Sequence, residues 1–459
     1  MTGRYKAYPE YRKSMIEWMD DVPVHWQNTP LKYMAIENNS LFLDGDWIES
    51  KDISSDGIRY ITTGNVGEGV YKEQGAGFIS DETFKKLACT EVFEGDVLLS
   101  RLNAPIGRAC IVPNLSTRIV TSVDNVIFRP DPHYYKQFLV YLFSSASYFK
   151  HTSNLARGAT MQRISRGLLG NIRVAIPSLE EQQKIANFLD HETAKIDTLI
   201  TKQEKLIELL KEKRQSVISH AVTKGLNPDA PMKDSGVEWL GDVPEHWDVT
   251  KFSYAIDFLE GPGILAADFH DEGVPLLRIQ NVKEVFVTDN FKTYLDPLKV
   301  KEKWDHFRVE KGDLLISASA STGLISEVDE RTVGAVPYTG LIRLKPMTQD
   351  ITAGFIRYIV QSDLFYEQIK LLQTGSTIQH FGPIHLQQMK VILPPVDEQD
   401  RIVDQIQQSV KHIDSLIESA YRIIDLTKER KTALISAAVT GKIDVCDWQE
   451  PTYQESAQR

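Results

Sequence analysis

The chain is written twice. Residues 138–225 align with residues 355–442 at a constant shift of 217 positions and without a gap. Gly158, Thr160 and Gln162 fall on Gly375, Thr377 and Gln379. Glu181-Gln182 falls on Glu398-Gln399, and Ile196-Asp197 on Ile413-Asp414. Upstream, "EWMDDVPVHW" (17–26) recurs as "EWLGDVPEHW" (238–247). A tandem repeat this long gives two similar units joined by similar connectors. One chain can then fold with an internal two-fold axis. Duplex DNA has local two-fold symmetry as well, so such a chain suits a two-part site.

The repeat divides the 459 residues into segments: 1–176, 177–225, 226–393, 394–445 and a polar tail, 446–459. Segments 1–176 and 226–393 read as mixed globular domains. "VFEGDVLLS" (92–100) is a turn feeding a strand, "DNVIFRP" (124–130) a strand ending at proline, and "NIRVAIP" (171–177) an alternating strand. "FLVYLFSSASYFKH" (138–151) reads as one amphipathic helix. Each signal returns in the second copy, in "VEKGDLLIS", "GLIRLKP", "MKVILPP" and "FIRYIVQSDLFYEQ". Each domain is therefore α+β.

Two long helical patterns separate and follow the domains. In the first, Ser178 stands as N-cap with Glu181 three residues on. Leu189, Glu192, Ile196, Leu199, Gln203, Leu206, Leu210, Lys213, Val217 and His220 then recur in steps of three and four. The second copy gives Ile406, Ser409, Ile413, Leu416, Ala420, Ile423, Thr427, Arg430, Leu434 and Ala437. At about 40 residues each helix is about 60 Å long. The first delivers the chain from one domain to the other, so pairing of the seams requires the second to run back. The expected architecture is two similar domains at opposite ends of an antiparallel two-helix coiled-coil rod. "KGLNPDAPMKDSG" (224–236) reads as a linker.

Several chemistries lack their signatures. There is no phosphate-binding G-x-x-x-x-G-K-[ST] loop and no Asn-Pro-Pro-aromatic or Asp-Pro-Pro-aromatic run. The eleven histidines show no H-x-x-x-H or H-E-x-x-H spacing. Three separated cysteines (Cys89, Cys110, Cys446) form no redox or metal pair and suit a reducing cytoplasm. No apolar run approaches the roughly 20 residues that span a bilayer, and the polar start is not a secretory signal. The expectation is a cytoplasmic, non-catalytic chain that binds no metal or cofactor itself.

What the domains do offer is loops able to read DNA. The first supplies Arg59, Thr62, Thr63 and Asn65; then Arg101, Asn103 and Arg108; then Arg157, Thr160, Gln162, Arg163 and Arg166. The second supplies Arg278, Gln280 and Asn281; then Ser317, Ser319, Ser321 and Thr322; then Gln373, Ser376, Thr377, Gln379 and His380. Arginine suits guanine O6/N7, Asn and Gln suit adenine N6/N7, and Ser and Thr suit phosphate. The net charge of −11 argues weakly against nucleic acid. Yet no acidic residue occurs between His151 and Ser178, or between Gln368 and Val396. A phosphate-facing loop must exclude carboxylates. The first set is rich in arginine and the second in Ser, Thr and Gln, which points to two different half-sites.

At this point the chain resembles the specificity subunit of Type I restriction-modification enzymes over nearly its whole length. The marks are "PSLEEQ" and "PPVDEQ" at the helix entries, the "IDTLI" and "IDSLI" centres, the "AVT" helix ends and the "EW…VPxHW" boxes. The resemblance implies two target-recognition domains, each reading half of a split site on double-stranded DNA, and two helical regions that act as ruler and as docking surface for two methyltransferase (modification) subunits. Restriction subunits with motor and nuclease activity join that core. S-adenosylmethionine, ATP and magnesium then belong to the partners. "RGAT" stands in the first loop where "TGST" stands in the second. The aromatic "EWMDDVPVHW" box reads as packing at the domain edge. Two rivals stay open: a coiled-coil assembly protein without a DNA role, and a fused methyltransferase or nuclease.

Overall fold

The structure is a computed structural model. It describes residues 5–35, 40–75, 77–318, 324–372 and 381–450. The chain forms two compact units: Met1–Gln203 with Arg422–Arg459, and Glu204–Tyr421.

Unit one is built on a four-stranded antiparallel sheet in the order Leu41–Asp44, Asn125–Arg129, Val97–Ser100, Ala109–Ile111. Beside it lies a three-stranded sheet, Gly77–Ile79, Ile58–Ile61, Ile119–Thr121, whose last two strands run parallel. The strand Arg173–Ile176 pairs with Gln27–Pro30. Unit two repeats this strand for strand. Its four-stranded sheet runs Ile256–Glu260, Leu341–Pro346, Leu314–Ser317, Ile325–Glu327. Its mixed sheet runs Tyr294–Leu295, Val274–Leu277, Val336–Pro337, and Lys390–Leu393 pairs with Asp248–Lys251. The turns that feed the central strands follow from their sequences. Gly95 and Gly312 take left-handed backbone (φ +81° and +86°). The next carboxylates, Asp96 and Asp313, accept from the N–H groups of Phe93 (3.0 Å) and Glu310 (2.8 Å).

One expectation fails in both copies. The amphipathic segment is two helices, Lys136–Leu142 and Ala146–Leu155 in unit one, Ala353–Gln361 and Asp363–Leu372 in unit two. The break is a buried serine. Ser145 Oγ donates to Leu142 O (2.8 Å) and Ser362 Oγ to Ile359 O (2.6 Å), replacing the backbone donor that would continue the helix.

The long helices are Leu179–Lys224 and Val396–Val439. Ser178 Oγ accepts from Glu181 N–H (3.3 Å), as its spacing predicts. In unit one the opening turns of the first helix (Ile185, Phe188, Leu189) share a core with the closing turns of the second (Leu434, Ile435, Ala438). In unit two Ile218, Ala221 and Val222 of the first helix share a core with Ile402, Ile406 and Val410 of the second. Within each unit the helices therefore run antiparallel. Unit one pairs Asp197 with Lys431 (2.6 Å), and unit two pairs Asp414 with Arg214 (3.0 Å). These two ion pairs are related by the repeat shift of 217.

The seam is half as expected. Leu189, Glu192, Ile196, Ile406, Ile413, Ala420, Thr427 and Leu434 are buried, but Leu199, Leu206, Lys213, His220, Leu416, Ile423 and Arg430 are exposed. The inward positions are the next residues along: Ile200, Ile207, Arg214, Ala221, and Val410, Ile424, Lys431, Ala438. The repeat steps four then three from each common position, not three then four.

The helix entries explain the Glu-Gln motif. Gln182 Oε1 accepts from Tyr135 N–H (2.7 Å), and its Nε2 donates to His133 O and Pro177 O. Gln399 repeats this with Thr352 N–H (2.9 Å), Asp350 O and Pro394 O. Glu181 accepts from Tyr8 Oη (2.7 Å) and Trp26 Nε1 (3.0 Å) and meets His25 Nε2 (2.8 Å). Glu398 meets His246 Nε2 (2.7 Å). Trp26 and Trp247 are fully buried, so the "EW…VPxHW" boxes are packing elements. The polar tail is anchored at its start: Trp448 packs on Phe188 (5.7 Å) and His191 (5.6 Å).

Candidate nucleic-acid interface

In unit one, three loops meet at one edge, and their arginines divide into two groups. The first group faces inward. Arg108 donates to five carbonyls: Val66 (2.7 Å), Thr63 (2.8 Å), Asn103 (2.8 Å), Leu102 and Pro105 (both 3.2 Å). It ties the 62–66 turn to the 100–108 loop. Arg101 is buried, paired with Asp44 (3.1 Å), and donates to Ile164 O and Val123 O. Burial lowers the pKa of both guanidinium groups. Arg59 is buried under Phe78 and donates to Glu73 and Gly75 O (both 2.6 Å). Asn65 uses its whole amide on the turn: Oδ1 accepts from Thr62 N–H (3.0 Å), and Nδ2 donates to Lys72 O (3.0 Å) and Gln74 O (2.9 Å). Asn281 does the same in unit two with Arg278 N–H, Thr288 O and Asn290 O. Ser317 lies buried in a central strand. Of these six candidate DNA contacts, the three arginines and two asparagines spend side-chain donors on backbone carbonyls, because a buried polar group is held by whatever partners the backbone offers.

The second group faces outward. Thr62, Asn103, Arg157, Thr160, Gln162, Arg163 and Arg166 are exposed, and Thr63 is half-buried. Their backbone is fixed. Arg157 and Arg163 exchange two backbone hydrogen bonds (2.9 and 2.8 Å), Asn103 N–H donates to Gln162 O (3.0 Å), and Ile164 N–H donates to Arg101 O (3.0 Å). Gly158 turns this hairpin at φ +114°, where a Cβ would stand 2.3 Å from Met161 O. The loop itself is free of carboxylates, but two reach it from other strands. Asp124 pairs with Arg163 (2.7 Å), and Asp44 stands 3.8 Å from Arg166. Counting charge along one segment misses both.

In unit two, Gln280 is exposed and Arg278 is half-buried over the rings of Phe269 (4.8 Å) and Tyr338 (5.3 Å). Ser319, Ser321, Thr322, Gln373, Ser376, Thr377, Gln379 and His380 lie outside the described residues. Where description resumes, Phe381 N–H donates to Ala318 O (2.9 Å), the counterpart of Ile164 on Arg101.

A second surface runs along the helices. Unit one exposes Leu199, Ile423 and Leu426, and unit two exposes their repeat counterparts Leu416, Leu206 and Leu209, all 41–59 % exposed. These positions lie outside the seam in both units. The three cysteines are free thiols. Burial pushes Cys110 up to about 12 and Cys89 to about 11, so neither is an activated nucleophile. No group of His, Cys, Asp and Glu among the described residues has the arrangement of a metal site, and no helix among them is long and apolar enough to cross a membrane.

A duplicated α+β domain, each copy followed by a long helix, defines a class. The family model of the Type I restriction modification DNA specificity domain matches residues 26–209 and 270–420, well over half of the chain, and the chain belongs to that family. Among curated relatives it is 26% identical over 296 residues to the Type I restriction enzyme MjaVIII specificity subunit of Methanocaldococcus jannaschii, covering 63% of this chain and 66% of that one. The putative MjaX specificity subunit of the same organism is 26% identical over 387 residues, 80% of this chain and 83% of the other. The EcoKI specificity subunit of Escherichia coli K12 is 23% identical over 327 residues, 69% and 68%. Two solved chains share the fold. One, described as "Structural basis underlying complex assembly and conformational transition of the type I R-M system", has a TM-score of 0.68 at 16% identity over 91% of this chain and 98% of its own. The HsdS subunit from Thermoanaerobacter tengcongensis has a TM-score of 0.55 at 17% identity over 92% and 98%.

Proposed function

We propose that this chain is the DNA sequence-recognition subunit of a Type I restriction-modification complex. Each unit reads one half of a bipartite, asymmetric site on duplex DNA. The observation that carries this is one fold written twice with different loop sequences: at the repeat shift Arg157, Arg163 and Arg166 of the first copy fall on Thr374, His380 and Pro383 of the second. Equal frames place the reading loops alike. Unequal side chains make the two half-sites differ.

The chain also scaffolds its enzymes. The apolar triad on the helices occurs once per unit in equivalent positions, which fits two copies of one partner. In this reading those copies are methyltransferase subunits, and restriction subunits complete the complex. S-adenosylmethionine, ATP and magnesium act on those partners. The long helices set the spacing between half-sites. Helices of 46 and 44 residues are about 69 and 66 Å long and span at most roughly 20 base pairs at 3.4 Å each.

Domain exchange tests the assignment. Replacing residues 226–393 with those of a relative of different specificity should change one half of the methylated sequence and leave the other intact, as read by mapping modified bases in host DNA. A change in both halves rejects the one-unit-one-half assignment.

A further inference from the structure

Arg163 is held at both ends. Its backbone is fixed by the paired hydrogen bonds to Arg157, and its guanidinium lies 2.7 Å from Asp124. Asp124 is fixed in turn: its N–H donates to Ser122 Oγ (3.3 Å) and its carbonyl accepts from Arg101 N–H (2.8 Å). The Arg163 side chain is 42% exposed. An ion pair this open adds little to stability. What it does set is the charge beside the guanidinium.

A guanidinium has five N–H donors in one plane. Asp124 Oδ1 stands 2.7 Å from one terminal nitrogen of that plane, a charge contact and not a formed hydrogen bond. Two-pronged reading of guanine O6 and N7 requires that plane to be set before contact. The carboxylate has a second effect. It repels phosphate, so the same arginine is steered from the DNA backbone toward a base edge. Unit two has no carboxylate at the matching position. The residue that matches Asp124 is Gly340, whose carbonyl accepts from Ala318 N–H (2.8 Å) as that of Asp124 accepts from Arg101.

We infer that Asp124 is a positioning residue that sets the base preference of the first half-site through Arg163. The inference rests on the DNA-recognition reading above and names the residue that enforces selectivity within it.

The test is selection from a pool of random-sequence duplexes by the full-length chain purified with its methyltransferase partner. Wild type should enrich a two-part motif. Asp124→Asn should weaken discrimination by about tenfold at one or two adjacent positions of a single half. It should also retain more non-specific duplex and show a steeper salt dependence, because a negative charge has left the contact face. Arg163→Gln should flatten the same positions, and the double variant should be no worse than Arg163→Gln alone. The second half of the motif reports folding within each experiment. An unchanged motif for Asp124→Asn, or equal loss in both halves, overturns the inference. A wild-type chain that enriches no motif overturns the recognition reading itself, and this inference with it.

Discussion

Gln182 and Gln399 show how a motif can be legible while its work is not. The Glu-Gln pair stands out in the sequence because it recurs at the repeat shift. Nothing in the letters says that each glutamine amide closes three backbone groups of the segment preceding the helix. The arginines make the same point in reverse. Arg108 and Arg163 look alike in sequence, and both sit in loops rich in Gly and Asn. One binds five carbonyls and the other faces out, because residue type records charge and not which side of the loop a side chain leaves. The consequence is measurable. Gln182→Leu keeps the volume and removes the partner of Tyr135 N–H and of the Pro177 carbonyl. Each unpaired group costs about 1–3 kcal/mol, so the loss should be at least about 2 kcal/mol in urea unfolding. Gln399→Leu should match it. Gln162→Leu, on the exposed loop, should change stability by less than about 0.5 kcal/mol.

At the scale of the element, the long helices were fully readable in existence, length and direction. A proline-bounded start and the absence of any internal Pro or Gly suffice for that. The seam was readable only at every second position. Steps of three and four both keep a residue near one face, and leucines at 199, 206, 416 and isoleucine at 423 offered a plausible false row. That false row supplies two of the three exposed apolar residues on each unit. The helices are apolar on two sides, and hydrophobicity alone does not say which side meets the sister helix. Two neighbouring residues separate the roles. Ile207 is buried, so Ile207→Ala should cost about 2–5 kcal/mol in urea unfolding. Leu206 is 42% exposed. Leu206→Ser together with Leu209→Ser should stay within about 1 kcal/mol of wild type but reduce recovery of the methyltransferase subunit in co-purification. If the paired serines lower stability as much as Ile207→Ala and leave co-purification intact, the triad belongs to the core and the docking role falls.

For the whole molecule, the repeat carried most of the fold. Strand order, the parallel pair in each small sheet and the serine break all occur twice, so reading one copy reads the other. What the repeat hides is difference, and difference is where specificity lies: Asp124 against Gly340, Arg101 against Ala318. Both long helices pass from one unit to the other, which makes their common length the natural control on half-site spacing in the proposed function. The paired seam limits how that length can change. Seven residues inserted in one helix alone would put the ion pairs Asp197–Lys431 and Asp414–Arg214 out of step with each other. Seven inserted in both, after Gln203 and after its repeat counterpart Ala420, keep the four-three alternation and add about 10 Å. Such a variant should fold with near-wild-type stability and recognise the same two half-sites with a spacer longer by at most about three base pairs at 3.4 Å each. Mapping methylated sites in cells carrying the variant reads this directly. Unaltered half-sites with an unaltered spacer would show that the partner subunits, and not these helices, fix the separation.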